Sequence, residues 1–123
     1  MLKCVIKHLL SEWLNIKVNL LVKSCLRNEK KEYNIKGIYS DNKIKYKEND
    51  TLMNIDLKNI TLERINENQE IKFNFKNNTC YIISDGLNLE INIEVLEKKV
   101  LNNYFYVYYK IENDYFKLEV KII

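Results

Sequence analysis

A chain of 123 residues, 46% hydrophobic and 30% charged, is one domain's worth of sequence and can build a core without disulfides or metal. Its net charge of +3 comes from lysines interspersed with acids, without a block of like charge, so a strongly polyanionic partner is not demanded. Three cysteines, Cys4, Cys25 and Cys80, fit neither a disulfide nor a zinc framework, which suits a reducing cytoplasm and implies no cofactor.

The opening MLKCVIKHLLSEWL does not read as a signal peptide, because Lys7, His8 and Glu12 break its apolar run. Leu2, Val5, Ile6, Leu9, Leu10 and Trp13 recur at helical spacing. The spacing predicts a short amphipathic helix over residues 1–13, accessory to a β domain over 14–123. No apolar run approaches the ~18 residues a membrane span needs.

From Leu14 the hydrophobic period becomes two, giving a long strand through Val22. LRNEKKE then reads as a polar loop. YNIKGIYSDNKIKYKE reads as a hairpin turning at Asp41-Asn42, with Tyr39 opposite Ile44 and Gly37 opposite Tyr46. Shorter strands follow at 52–57, 60–65, 71–75 and 79–83. Leu87–Val95 alternates cleanly after a Ser84-Asp85-Gly86 turn, and 100–111 and 115–122 close the chain. Short strands at this spacing, joined by polar turns, predict an all-β sandwich or barrel.

Several segments carry a family resemblance. GIYSDNKIKYKEND, NITLERINENQEIKFNF, CYIISDGLNLEINIEVL and the terminal YVYYKIENDYFKLEVKI resemble the YwiB-like bacterial domain, a family of unknown function. The anchors are Gly37 with Tyr39, Ile44-x-Tyr46-x-Glu48, Leu62-x-Arg64 with Phe73, Tyr81 with Gly86, and Leu118-x-Val120. Asn66 stands where that family tends to have glycine, and Ile83-Ser84 where it favours Thr-Pro. The resemblance implies a single calycin-like antiparallel β-barrel of about 8–10 strands, within the range of small barrels that hold one ligand or fill with side chains. It brings no activity with it.

Three features bear on function. Asn103–Glu112, NYFYVYYKIE, is read as a strand buried on both faces, with pocket wall and base-stacking platform as alternatives. Lys43, Lys45 and Lys47 alternate outward and are read as guarding an edge strand. Glu48 shares a face with Tyr33, Ile35, Tyr39, Ile44 and Tyr46, so its carboxylate faces the interior and needs a partner. Arg64 is the natural candidate, since Arg27 is the other arginine. Tyr46, Glu48, Arg64 and Tyr81 are therefore the candidate ligand-binding residues, and a structural ion pair at the rim is the competing reading of Glu48 and Arg64. Cys4 and His8 form at most half a metal site.

The site checklist is otherwise thin, with no nucleophile elbow and no phosphate-cradling loop, and an enzyme is not expected. The reading is a cytoplasmic, non-enzymatic binding barrel that holds a small ligand in or at its mouth. Its alternative is a protein-interaction module or homodimer using the exterior, the lysine strand or the helix. Nucleic acid and membrane are disfavoured as partners. The helical stripe must be buried against something, so deleting residues 1–11 is expected to lower stability while β-rich circular dichroism is kept. Loss of all cooperative unfolding would contradict an accessory role.

Overall fold

The computed structural model describes residues 15–123, which form one antiparallel sheet of eleven strands rolled into a nearly closed barrel. The strands are β1 (Ile16–Leu26), β2 (Glu29–Ser40), β3 (Lys43–Glu48), β4 (Thr51–Asp56), β5 (Thr61–Ile65), β6 (Gln69–Asn74), β7 (Thr79–Ser84), β8 (Leu87–Asn92), β9 (Glu94–Leu101), β10 (Tyr104–Ile111) and β11 (Asp114–Ile122). The spatial order is β8-β7-β6-β5-β4-β3-β2-β1-β11-β10-β9. Neighbours in sequence are neighbours in space, and β1 pairs with β11 from Leu20↔Ile122 to Leu26↔Phe116, joining the two ends of the chain. The expected helix over residues 1–13, with Cys4 and His8, lies outside the described residues.

The two edges of the sheet, β8 and β9, are consecutive in the chain. The run expected as one strand from Leu87 to Val95 pairs with β7 as far as Asn92↔Thr79, passes Ile93, and then pairs with β10 from Glu94. The barrel is therefore closed by chain continuity at this seam, not by a ladder. One polar contact crosses it, with Lys98 Nζ donating to the Phe75 carbonyl at 3.2 Å, while the Ile93 amide, donating to the Asn78 carbonyl at 3.0 Å, extends the β7–β8 pairing by one residue up to the seam. A bulge at Tyr108/Tyr109 leaves Leu96 of β9 without a ladder partner, which bends the strand where it changes neighbours.

Strand alternation fills the interior. Leu20, Val22, Ile44, Ile55, Leu62, Phe75, Phe105, Val107 and Val120 are almost wholly buried. Aromatic rings bridge the seam from within. Phe73 and Phe75 of the β6 side stack at 5.7 Å, and Tyr109 of β10 packs 5.4 and 5.2 Å from them. Phe105 lies 6.0 Å from Phe75, and Phe116 stacks on Tyr109 at 5.2 Å. The inner half of NYFYVYYKIE is thus the seam's packing. The outer half is not buried as expected. Tyr104, Tyr106 and Tyr108 are half-exposed and held by cross-strand partners: Tyr104 donates to Glu119 at 2.5 Å, Tyr106 to Glu97 at 3.3 Å, and Lys117 Nζ sits 4.6 Å over the Tyr108 ring.

The predicted hairpin register holds, with Gly37↔Tyr46 and Tyr39↔Ile44. A Cβ on Gly37 would lie 2.6 Å from Leu20 Cδ1 and 2.7 Å from the Lys45 carbonyl oxygen, so glycine is needed where two backbones and a core leucine converge. Other expectations are corrected. LRNEKKE is not a loop: β1 runs to Leu26, Arg27-Asn28 make a two-residue turn with φ of 48° and 70°, and Glu29 already begins β2. The run 100–111 is cut by a turn at Asn102-Asn103, which raises the strand number to eleven. And β3 is no edge, because it pairs with β2 on one side and β4 on the other.

Removing a seam ring tests the closure. Phe75 is fully buried and touches rings from both sides of the seam, so Phe75→Ala should cost about 3–5 kcal/mol in denaturant unfolding. Leu101→Ala, at a residue 52% exposed, should stay within about 0.5 kcal/mol of the parent. Similar effects at the two positions would refute the aromatic closure.

Candidate functional site

The barrel is taller on one side than the other. β1 and β2 have 11 and 12 residues, whereas β3 to β8 have five or six each. The β2–β3 ladder stops at Gly37↔Tyr46, so Tyr33 and Ile35 of β2 extend beyond the last β3 pair. A pocket of about 310 Å³ opens at the end that carries the β1–β2 and β3–β4 turns. Its floor is made by Met53, Leu62, Phe73, Cys80, Tyr109 and Leu118, all buried. Its rim carries Glu29, Lys31, Glu48, Arg64 and Lys117. An apolar floor beneath a charged rim suits a ligand with one greasy and one polar part.

The structure brings three of the four candidate residues together. Glu48, half-buried, and Arg64, exposed, both line the pocket. Tyr46 is 3% exposed, and its hydroxyl is buried without a hydrogen-bond partner. Tyr81 is not with them. Its strand phase turns it to the outer face of β7, where it is 44% exposed and opposite Glu90. Nor does an ion pair join Glu48 to Arg64: those among the described residues are Lys23–Glu32, Arg27–Asp114 and Lys72–Glu70.

Tyr33 completes the group. Its hydroxyl is also buried without a partner, and it approaches Glu48 without meeting the geometry of a full hydrogen bond. Desolvation by burial, reinforced by Glu48, holds the Tyr33 phenol well above its ordinary value, with Arg64 opposing. Tyr46 is raised by burial, then by Tyr33 and Glu48, again opposed by Arg64. Burial raises Tyr109 as well, and Arg64 again pulls the other way. Arg64 is thus in electrostatic reach of three interior phenols. The interior rings Phe73, Phe75 and Phe105 carry no hydroxyl. Tyr33 could have been placed in this site from its shared strand face with Tyr46 and Glu48, the same alternation that singled out Glu48.

The Cys80 thiol on the pocket floor is pushed up to about 11 by burial, which keeps it protonated and a poor nucleophile at neutral pH. No group of three or more His, Cys, Asp or Glu is placed to hold a metal ion among the described residues. No described helix is long and apolar enough to cross a membrane. Comparison with known proteins gave no match to a protein-family model, a curated protein or a solved structure.

These phenols make stability pH-dependent. A folded value raised above the unfolded one, near 10 for tyrosine, favours the folded state below about pH 10 and ceases to do so as pH rises through the folded value. Cys80 acts in the same direction from its ordinary 9.0 upward. Denaturant midpoints should therefore fall from about pH 9 upward. Tyr33, Tyr46 and Tyr109 should show phenolate absorbance only as far-ultraviolet dichroism is lost. Phenolate from these three in a barrel that keeps its dichroism, assigned with single Tyr→Phe variants, would contradict their burial.

Proposed function

We propose that this protein is a non-enzymatic, calycin-like binding barrel of the cytoplasm that holds a compact amphiphilic small molecule in its mouth. Support for the calycin-like reading is the up-and-down strand order with the first strand paired to the last. Support for a ligand is one observation above all: Glu48 and Arg64 line an apolar pocket without pairing with each other, and beside them, buried behind the lining, the phenol hydroxyls of Tyr33 and Tyr46 lack hydrogen-bond partners of full geometry. Buried polar groups are nearly always paired, and an unpaired one costs about 1–3 kcal/mol. Phenylalanine at either position would fill nearly the same volume without that cost.

The chemistry of the rim defines the ligand class. The apolar part rests on Leu62, Phe73 and Leu118. The head group accepts hydrogen bonds from the Arg64 guanidinium and from a phenol, and donates to Glu48, as a zwitterion or a hydroxy acid does. A pocket of about 310 Å³ is at the small end of ligand sites, which span roughly 300–1,000 Å³, so long-chain cargo is disfavoured. Binding, not turnover, fits the inert Cys80 thiol on the floor.

Native mass spectrometry of gently purified protein tests the reading, with decanoate and an alkyl betaine as added probes. The parent should carry or take up a small molecule. Ile71→Trp, at a half-buried pocket wall, should exclude it while the fold is kept. Tyr46→Phe should hold or gain stability by up to about 1–3 kcal/mol, because an unsatisfied hydroxyl is removed, yet retain less ligand. A parent that neither retains a molecule nor binds either probe would overturn the proposal.

A further inference from the structure

The lysines of β3 do not guard an edge, since β3 is an inner strand. Their arrangement calls for another account. Lys17, Lys36, Lys45 and Lys47 line a groove of about 670 Å³ on the outer face of β1, β2 and β3, together with Ile38 and Leu52. The register explains the grouping. Lys17 and Lys45 flank Ile38 from either side, Lys36 is one outward position further along β2, and Lys47 lies opposite Leu52. The four lysines are thus rooted in a patch of sheet roughly 10 Å across, two strand spacings, and roughly 7 Å along the strands.

All four lysines are exposed, and none takes part in an ion pair among the described residues. Lys43, the remaining lysine of β3, does have an acid across the ladder, Asp56, whose carboxyl is held below its ordinary value, against burial, by hydrogen bonds from Asn59 and Lys58 and then by the charge of Lys43. The cross-strand and next-position neighbours of the other four supply no acid: they include Asn19, Asn34 and Asn54 as well as the two aliphatic residues. Like charges gathered on one face of a sheet are destabilising. Here that cost protects no edge.

We propose that this groove docks an extended acidic segment of a partner protein in which Asp or Glu alternates with apolar side chains. The lysines supply charge complementarity, and the period of two in an extended strand presents acids to the lysines while apolar residues reach Ile38 and Leu52, 45% and 37% exposed. The aliphatic floor is what favours a polypeptide over a nucleic acid. The aromatic residue at the groove, Tyr46, turns its ring to the interior, so no ring is offered there for base stacking.

Fluorescence anisotropy with a labelled octapeptide of alternating Glu and Leu tests this site. Binding should be present at about 50 mM salt and weaken at about 300 mM, as a surface charge contact does. Lys36→Glu with Lys45→Glu should weaken it by about tenfold or more, and Leu52→Ser should weaken it too. Lys99→Glu, on the exposed part of β9, should not, nor should Ile71→Trp, which separates this groove from the barrel pocket. Unchanged binding in the double lysine variant, with native dichroism, would overturn the proposal. So would tighter binding of an oligothymidine or of an all-Glu octapeptide that ignores Leu52→Ser, since the groove would then read charge alone.

Discussion

The contact on which the barrel depends is the packing of Phe73 and Phe75 against Phe105 and Tyr109 across the seam between β8 and β9. Everywhere else a backbone ladder joins adjacent strands, and β1 with β11 closes the chain ends. At the seam the chain passes from one side to the other at Ile93, and ring contacts supply the cohesion that hydrogen bonds supply elsewhere. Aromatic pairs in tilted or offset geometry add about 0.5–1.5 kcal/mol each beyond their area burial. The rings hold together two edges that no ladder joins, β8 bearing exposed Leu87 and Leu89; set free, such edges invite pairing between chains.

Two of the same rings belong to the floor of the mouth pocket. Phe73 and Tyr109 face it directly, and Phe116, stacked on Tyr109, forms part of its wall. A stacked pair leaves little free rotation, so the pocket floor is preorganised by the closure itself. Opposite the seam, the parting of β2 from β3 beyond Gly37↔Tyr46 does the complementary work. On the inner side it leaves the Tyr33 and Tyr46 hydroxyls beside Glu48. On the outer side it leaves Lys36 and Lys47 bordering a groove in place of a continued ladder. Both proposed sites follow from one interruption in strand pairing, and they lie on opposite faces of the wall.

Period-two alternation made the strands legible, and the Asp41-Asn42 turn fixed the hairpin register to the residue. The inward direction of Glu48 followed from that register. What alternation cannot report is the partner of a strand. Lys43, Lys45 and Lys47 read as an edge because outward lysines look alike on edge and inner strands. Tyr81, a candidate ligand-binding residue by sequence, lies outside because its face depends on where β7 sits relative to β6, and one position of register reverses it. Turns were hidden by composition. With two glycines in the chain, left-handed positions fall on Asn28, Asn42, Asn49 and Asn78, on Asp41 and Asp85, and even on Arg27, Ile60 and Glu112. Asparagine tolerates that conformation at modest cost, but it is common throughout this chain and so does not mark a turn by itself.

The distribution of hydroxyls inside the barrel is the strongest hint of purpose. Tyr39, at the far end, satisfies its hydroxyl on Asn42 at 3.4 Å. The seam rings that need only pack, Phe73, Phe75 and Phe105, are phenylalanines. Tyrosine appears in the interior where Arg64 is within electrostatic reach, at Tyr33, Tyr46 and Tyr109. The Tyr46 hydroxyl makes no hydrogen bond and that of Tyr33 reaches Glu48 short of full geometry, so each carries a desolvation cost. A core selected for packing alone would place the cheaper ring at those positions. Arg64 itself is exposed at the rim and makes no ion pair among the described residues, so its field acts on the mouth and not on a structural partner. Glu48 and Arg64, which make no ion pair among the described residues and line the pocket where its apolar floor meets solvent, are what a polar head group would engage, with the two buried phenols beside them.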